Sequence, residues 1–293
     1  MTSFYTGNNA KNKAFLAWLK TEASKIDEKA YLVGEAWAAQ DVIKELYAGG
    51  IDSLFNFPFS QFDGLFIPAV RSEDGSAVAQ RIETWQRDML KISLHSIDAV
   101  FLSNHDNGRS AGMLNRDIEL EKSAAALYIL TPGNAFIYYG EELGMTGSGR
   151  DENKRLPMLW STTDKTGIPF PPPNAEFFEQ PAQGVEEQLA DKNSLLNYYI
   201  KLIGIKNRTP EIARGTLKAI DTGTESIVAF SSEYNGSVVF VLHNLAAAPV
   251  SVTLPKDMYS YKKIAEYLGA SGGKAKMKGA SIEMPARSTV ILK

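Results

Sequence analysis

No cysteine occurs among the 293 residues. That absence excludes disulfides, thiolate metal sites and a cysteine nucleophile, and it leaves the compartment open. Histidine is nearly as scarce: His95, His105 and His243 lie far apart, so there is no local zinc motif. No stretch approaches the ~18 consecutive apolar residues of a membrane-spanning helix. Met1 to Lys13 is polar and lacks the apolar run of a secretory leader. Charge does not lean to one side either. Lys and Arg number 31 against 34 Asp and Glu, a formal net charge of -3, which argues against a broadly basic nucleic-acid binder. Neither a membrane nor a nucleic acid is the expected partner.

What is present is ordinary globular material. Hydrophobic residues make up 44%, ample for a core, and the length allows one large domain or two ordinary ones. The first two-thirds alternates short apolar runs with longer amphipathic ones. Helical spacing runs over Ala14–Ile26, through Val42, Ile43, Leu46 and Tyr47, over Ala77–Leu94 and Glu119–Leu130, and over Lys192–Asn207 as the last helix. Between them, strands are expected at Tyr31–Trp37, Ser53–Phe59, Ala99–Asp106 and Ala135–Gly140, with a polar loop from Gly144 to about Glu187. Strands buried on both faces and separated by helices predict parallel β/α units. Four such strands suit half of an eight-stranded barrel or a small open sheet. After about residue 210 the pattern changes to short strands at 227–230, 238–242, 250–254 and 289–292. Asn235-Gly236 is a hairpin signal between two of them. The expected division is therefore an α/β domain over 1–209 and an antiparallel all-β sandwich over 210–293.

In a β/α barrel, functional residues sit where strands end and loops begin. Glu35 ends the first strand beside Trp37, His105-Asp106 ends the third, and Glu141-Glu142 follows the fourth. Two carboxylates on neighbouring strand ends are the raw material of glycoside hydrolysis. One must hold a proton for the leaving oxygen, which burial against an apolar ring favours, and the other must stay ionised. A solvated or salt-bridged glutamate fits the same spacing.

The motifs carry more. Leu32-Val33-Gly34-Glu35-Ala36-Trp37 resembles the acid/base region of the α-amylase superfamily, glycoside hydrolase family 13. Phe101-Leu102-Ser103-Asn104-His105-Asp106-Asn107-Gly108-Arg109 resembles that family's last catalytic region. The segments 136–144 and 155–160 are similar to its final barrel strand and the loop after it. They occur in the family's order, and the resemblance covers nearly the whole chain. It implies a (β/α)8 TIM barrel of which these residues match strands five to eight, followed by the family's C-terminal sandwich. It also implies hydrolysis of α-1,4-glucans such as starch or maltooligosaccharides. Glu35 matches the general acid/base, Asp106 the transition-state-stabilising aspartate, and His105 the histidine that contacts sugar at the cleavage subsite. Asp151 and Arg155 match a pair that grips glucose on the donor side; an ordinary loop salt bridge is the alternative. Trp37 is either a stacking platform or a packed aromatic, Arg109 orients the carboxylates or pairs with one, and Glu141-Glu142 shapes the loop.

The family nucleophile, an aspartate in a Gly-x-Arg-x-Asp segment, has no counterpart among the 293 residues. Nor does the insertion that often binds calcium; no cofactor is evident. The 209 residues of the first part fall short of the ~250 typical of a complete barrel. Half a barrel exposes two sheet edges and an apolar inner face. The expectation is a homodimer or a complementing N-terminal half; the alternative is that these residues are the C-terminal fragment of a full-length amylase. The alternative function is a non-catalytic amylase-like protein that binds glucan or acts as a scaffold. Secretion is common in the family, but the compartment stays open.

Overall fold

Two β-rich regions with different hydrogen-bond patterns share one continuous core. The computed structural model describes residues 7–176, 178–258, 261 and 263–293. Part of the polar leader, residues 1–6, lies outside the described residues.

The N-terminal region runs α1 (Asn9–Ile26), β1 (Val33–Gly34), α2 (Gln40–Tyr47), β2 (Ser53–Phe55), α3 (Phe66–Ser72), α4 (Val78–Ile92), β3 (Ile97–Val100), α5 (Ser110–Met113), α6 (Ile118–Ile129) and β4 (Asn134–Ala135). It continues through α7 (Asp151–Lys154), α8 (Val185–Ala190), α9 (Leu195–Arg208) and α10 (Pro210–Arg214). The four strands pair in sequential order, β1-β2-β3-β4, and every pairing is parallel. Helical connections supply the crossovers that parallel pairing demands.

Registered neighbours in a parallel sheet point the same way, and successive residues alternate. Gly34, Leu54 and Asp98 therefore share one face, and Val33, Ser53 and Ile97 the other. The first face is covered by helices: Leu54 packs with Leu46, Ile82, Leu127 and Leu202 in one apolar cluster. On α4, Val78, Ile82, Trp85 and Met89 recur at helical spacing and are all buried. At roughly 1.5–3 kcal/mol per large apolar side chain, that stripe outweighs the helix's weak intrinsic stability. The second face is more open, with Val33 38% and Ile97 36% exposed. A polar thread crosses it. The Tyr31 hydroxyl donates to Ser53 Oγ at 2.7 Å, and Asn134 Nδ2 donates back to the Tyr31 hydroxyl at 3.0 Å. Ser53 Oγ in turn donates to the Ile97 carbonyl at 2.6 Å, so residues at all four strands are tied together.

The C-terminal region holds β5 (Thr216–Ala219), β6 (Ile227–Tyr234), β7 (Ser237–Asn244), β8 (Val250–Thr253), β9 (Ile264–Gly269), β10 (Lys276–Lys278), β11 (Ser281–Met284) and β12 (Ser288–Leu292). They form two antiparallel sheets, β5-β6-β7-β12-β9 and β10-β11-β8. Asn235 and Gly236 join β6 to β7 with φ of 52° and 78°. Both are left-handed, which is the backbone a two-residue primed turn requires and which Asn-Gly adopts readily. Alternation along the five-stranded sheet splits its side chains between two cores. Val228, Phe230, Val239, Val241 and Ile291 join the cluster beneath the parallel sheet. Ile227, Ala229, Phe240, Leu242 and Val290 pack with Val252, Ile282 and Met284 of the three-stranded sheet. The five-stranded sheet is buried on both faces, so it is fixed to the α/β region.

Several sequence expectations change. The second strand stops at Phe55, because Pro58 sits in a 3-10 turn over Phe57–Phe59 whose first N–H groups need a cap; Asn56 Oδ1 accepts from Phe59 N at 3.2 Å. The fourth strand ends at Ala135 rather than Gly140. Gly140 turns left-handed at φ 80°, where a Cβ would meet Met145 Sδ at 2.2 Å. The helix expected over Lys192–Asn207 does end at Thr209-Pro210, with Thr209 as the C-cap of α9, but it is not the last: Pro210 takes the first turn of α10, where its missing N–H costs nothing. The polar loop contains α7 and α8. Ile26, placed on the buried face of the first helix, is 91% exposed.

Candidate active site

Parallel pairing brings the C-terminal ends of all four strands to one edge. Glu35 follows Gly34 directly and is half-buried there. Trp37 is 46% exposed and lies flat on Phe57, with ring centroids 5.2 Å apart and planes at 10°. Phe57 meets Phe101 edge-on at 5.1 Å, Phe101 meets Phe55 at 5.5 Å, and Phe55 meets Phe136 at 4.8 Å. An aromatic layer thus runs from the end of β1 to the end of β4. Such edge-to-face pairs add roughly 0.5–1.5 kcal/mol each beyond their burial.

Beyond Phe101 the chain turns sharply. Asn104 Oδ1 accepts from the backbone N–H groups of Asp106 and Asn107, both at 2.9 Å. This side-chain turn is what an asparagine at that position supplies. It presents His105 and Asp106 towards solvent, with side chains 52% and 32% exposed. Asp106 Oδ1 lies 3.2 Å from Arg155 Nη2 and 3.5 Å from His105 Nε2. Arg155 Nη2 is also 3.6 Å from Asp151 Oδ2. His105, Asp106, Asp151 and Arg155 thus form one charged cluster, although Asp106 and Arg155 come from different loops. Hydrogen bonding from Lys154, with Arg155 and His105 nearby, holds the Asp151 carboxyl below its ordinary range. Glu35 follows β1, with β2 between that strand and β3.

Arg109 departs from expectation. It is 1% exposed, and its guanidinium meets carbonyls where a carboxylate was expected. Nε donates to the Lys154 carbonyl at 3.0 Å and Nη1 to the Tyr139 carbonyl at 2.6 Å. The rings of Tyr138 and Tyr139 flank it at 4.5 and 4.6 Å. Buried beneath the cluster, it binds two loop segments together.

Glu141 is also deep. Its carboxyl accepts from Ser103 Oγ at 3.0 Å, the Tyr128 hydroxyl at 2.7 Å and the Tyr199 hydroxyl at 3.0 Å. Burial lifts its pKa to about 7 despite these donors. Ser103 belongs to the segment carrying His105 and Asp106, so this network anchors that segment from below. Three participants were not singled out by sequence, Lys154, Tyr128 and Tyr199. Their roles depend on partners many residues away, which no local pattern reports. Among the described residues, no group of three or more His, Asp or Glu side chains gathers closely enough to hold a metal ion.

This arrangement can bind a polyhydroxylated ligand. It offers one exposed ring face, a half-buried carboxyl, and a carboxylate beside a guanidinium and an imidazole. Comparisons with known proteins agree in direction. Residues 2–215 match the family model described as alpha amylase, catalytic domain, and residues 227–291 match that of the alpha-amylase SusG C-terminal domain. Alpha-amylase 3 of Dictyoglomus thermophilum is 32% identical over 242 residues, which cover 80% of this chain and 45% of that protein. Alpha-amylase SusG of Bacteroides thetaiotaomicron is 29% identical over 239 residues, covering 76% of this chain and 33% of that one. The chain thus spans less than half the length of these two relatives. The solved structure of Eubacterium rectale Amy13B superimposes with a TM-score of 0.92 at 34% identity, covering 100% of this chain and 58% of that chain.

Proposed function

The chain belongs to the α-amylase catalytic-domain family, and from that premise we propose that it forms part of a glycoside hydrolase acting on α-1,4-glucans such as starch or maltooligosaccharides. The observation that carries this reading is the His105–Asp106–Arg155–Asp151 cluster on the same strand-end edge as Glu35.

In the proposed reaction the Glu35 carboxyl gives its proton to the leaving glycosidic oxygen. Asp106, paired with Arg155, stabilises the positive charge that develops at the anomeric carbon. His105 donates to a sugar hydroxyl, and Asp151 with Arg155 grips glucose further along the donor side. The exposed face of Trp37 serves as a platform for a sugar ring. Arg109 contributes by holding the loop carbonyls, not by touching sugar. A retaining mechanism needs a nucleophile about 5–5.5 Å from the acid. The family's Gly-x-Arg-x-Asp segment is absent from these residues.

We read the four-stranded parallel sheet as strands five to eight of an eight-stranded barrel, with the division from the sandwich at residues 209 and 210. Sequential parallel order, two unpaired edges and the half-open face carrying Val33 and Ile97 support that reading. The remaining strands and the nucleophile then lie outside these 293 residues, in a further part of the same chain, a complementing N-terminal half or a second copy. A strictly monomeric mass in light scattering, both alone and with the complementing half, removes the last two.

The second reading is a non-catalytic amylase-like protein, in which the cluster binds glucan without cleaving it or the chain serves as a scaffold. Calorimetric titration with maltohexaose, run beside a reducing-sugar assay, separates the two. Binding with turnover supports the hydrolase, binding without turnover supports the glucan-binding role, and no binding refutes both.

A further inference from the structure

Lys154 is 6% exposed, yet its ammonium is not idle. Nζ donates to the Asp106 carbonyl at 2.6 Å and to Asp151 Oδ1 at 3.0 Å. Its own carbonyl is taken from the other side, by Arg109 Nε at 3.0 Å and the Tyr138 hydroxyl at 3.1 Å. The next residue, Arg155, reaches Asp106 Oδ1. Lys154 is thus gripped at its backbone by a buried guanidinium and a phenol, while its side chain links the turn after β3 to the first turn of α7.

A buried ammonium loses several kcal/mol of hydration unless its donors are used. Two short charge-assisted bonds offset that loss, and they do so only at one separation of the Asp106 carbonyl and the Asp151 carboxylate. A long apolar side chain of the same length would fill the volume and leave that separation unspecified.

We propose that Lys154 is a positioning residue: it fixes the Asp106 carbonyl against the Asp151 carboxylate, and through them sets the geometry in which both acids meet a sugar. Only the last clause rests on the glucan-site reading. The first concerns the protein alone.

The test uses the isotope-labelled chain, wild type beside Lys154→Met and Lys154→Arg. Carbon NMR follows the Asp106 carbonyl and the titration of the Asp151 carboxyl, and calorimetry follows maltohexaose affinity. In Lys154→Met the Asp106 signal moves and Asp151 titrates higher. Affinity falls about tenfold, as loss of one charge-assisted hydrogen bond implies. Lys154→Arg recovers part of each. Unmoved Asp106 and Asp151 signals in a folded Lys154→Met overturn the proposal, and so does wild-type affinity in that variant. Moved signals with no glucan affinity even in the wild type support the positioning role and refute the glucan reading instead. Should Lys154→Met not fold, Asp151→Ala replaces it, since Asp151 is exposed: the Asp106 carbonyl signal must move when the second acceptor is removed, and an unmoved one overturns the link.

Discussion

Arg155 reaches Asp106 across 49 residues of sequence, with Nη2 3.2 Å from Oδ1. The same nitrogen lies 3.6 Å from Asp151. One half-exposed guanidinium therefore holds two acids from separate loops. Exposed pairs of this kind contribute about 0–1 kcal/mol to folding. Arg155→Ala should leave the urea midpoint nearly unchanged and still weaken maltohexaose binding by about tenfold or more. A variant that unfolds early but binds normally contradicts this account.

Glu35→Gln should lower turnover by roughly two to four orders of magnitude in any assembly that cleaves glucan, because the amide has no proton to give. Binding should survive, since the shape is kept. Reducing-sugar release at the wild-type rate shows that Glu35 is not the acid.

Glu141 predicts a stability that falls as pH rises. Its folded pKa, raised to about 7, exceeds the unfolded carboxylate value. Its contribution is thus intact below pH ~4.5 and is lost as pH rises through about 7. Glu141→Gln keeps acceptors for Tyr128 and Tyr199 and removes the titration. Denaturant curves should show it gaining on wild type by about 1–3 kcal/mol at pH 8 and little at pH 4. Parallel stability curves at both pH values would refute the assignment.

His243 predicts the opposite limb. Burial lowers its pKa to about 3; Nδ1 meets Thr289 Oγ1 at 2.8 Å, and Nε2 is buried without a hydrogen-bond partner among the described residues. The unfolded chain binds this proton near pH 6.5. Stability is therefore full above that value and falls as pH drops towards 3, by up to about 4 kcal/mol from this group. His243→Gln should flatten the acid limb, measured as the urea midpoint between pH 3 and 7.

The parallel strands were legible because a strand buried by helices reads as an apolar run, and the runs at 31–37, 53–59 and 99–106 each overlap a strand, although β3 starts earlier, at Ile97, ahead of the polar Asp98. The strands β5, β9, β10 and β11 were not. Lys276-Met277-Lys278 carries one apolar residue between two charges, and its partner β11 is what makes it a strand. The site divided in the same way. Glu35 and His105-Asp106 sit in short motifs that a sequence displays. Lys154 gains its role from Asp106, 48 residues earlier, and Glu141 from Ser103, 38 residues earlier. Arg109 was visible as a cation beside a motif, but carbonyl acceptors leave no mark in sequence.

The thread of hydroxyls and amides through Tyr31, Ser53 and Asn134 ties the first strand of the sheet to the last. It works as a ruler. Each of its bonds holds to one length, so the spacing between the first and last strands is set by side chains as well as by backbone pairing.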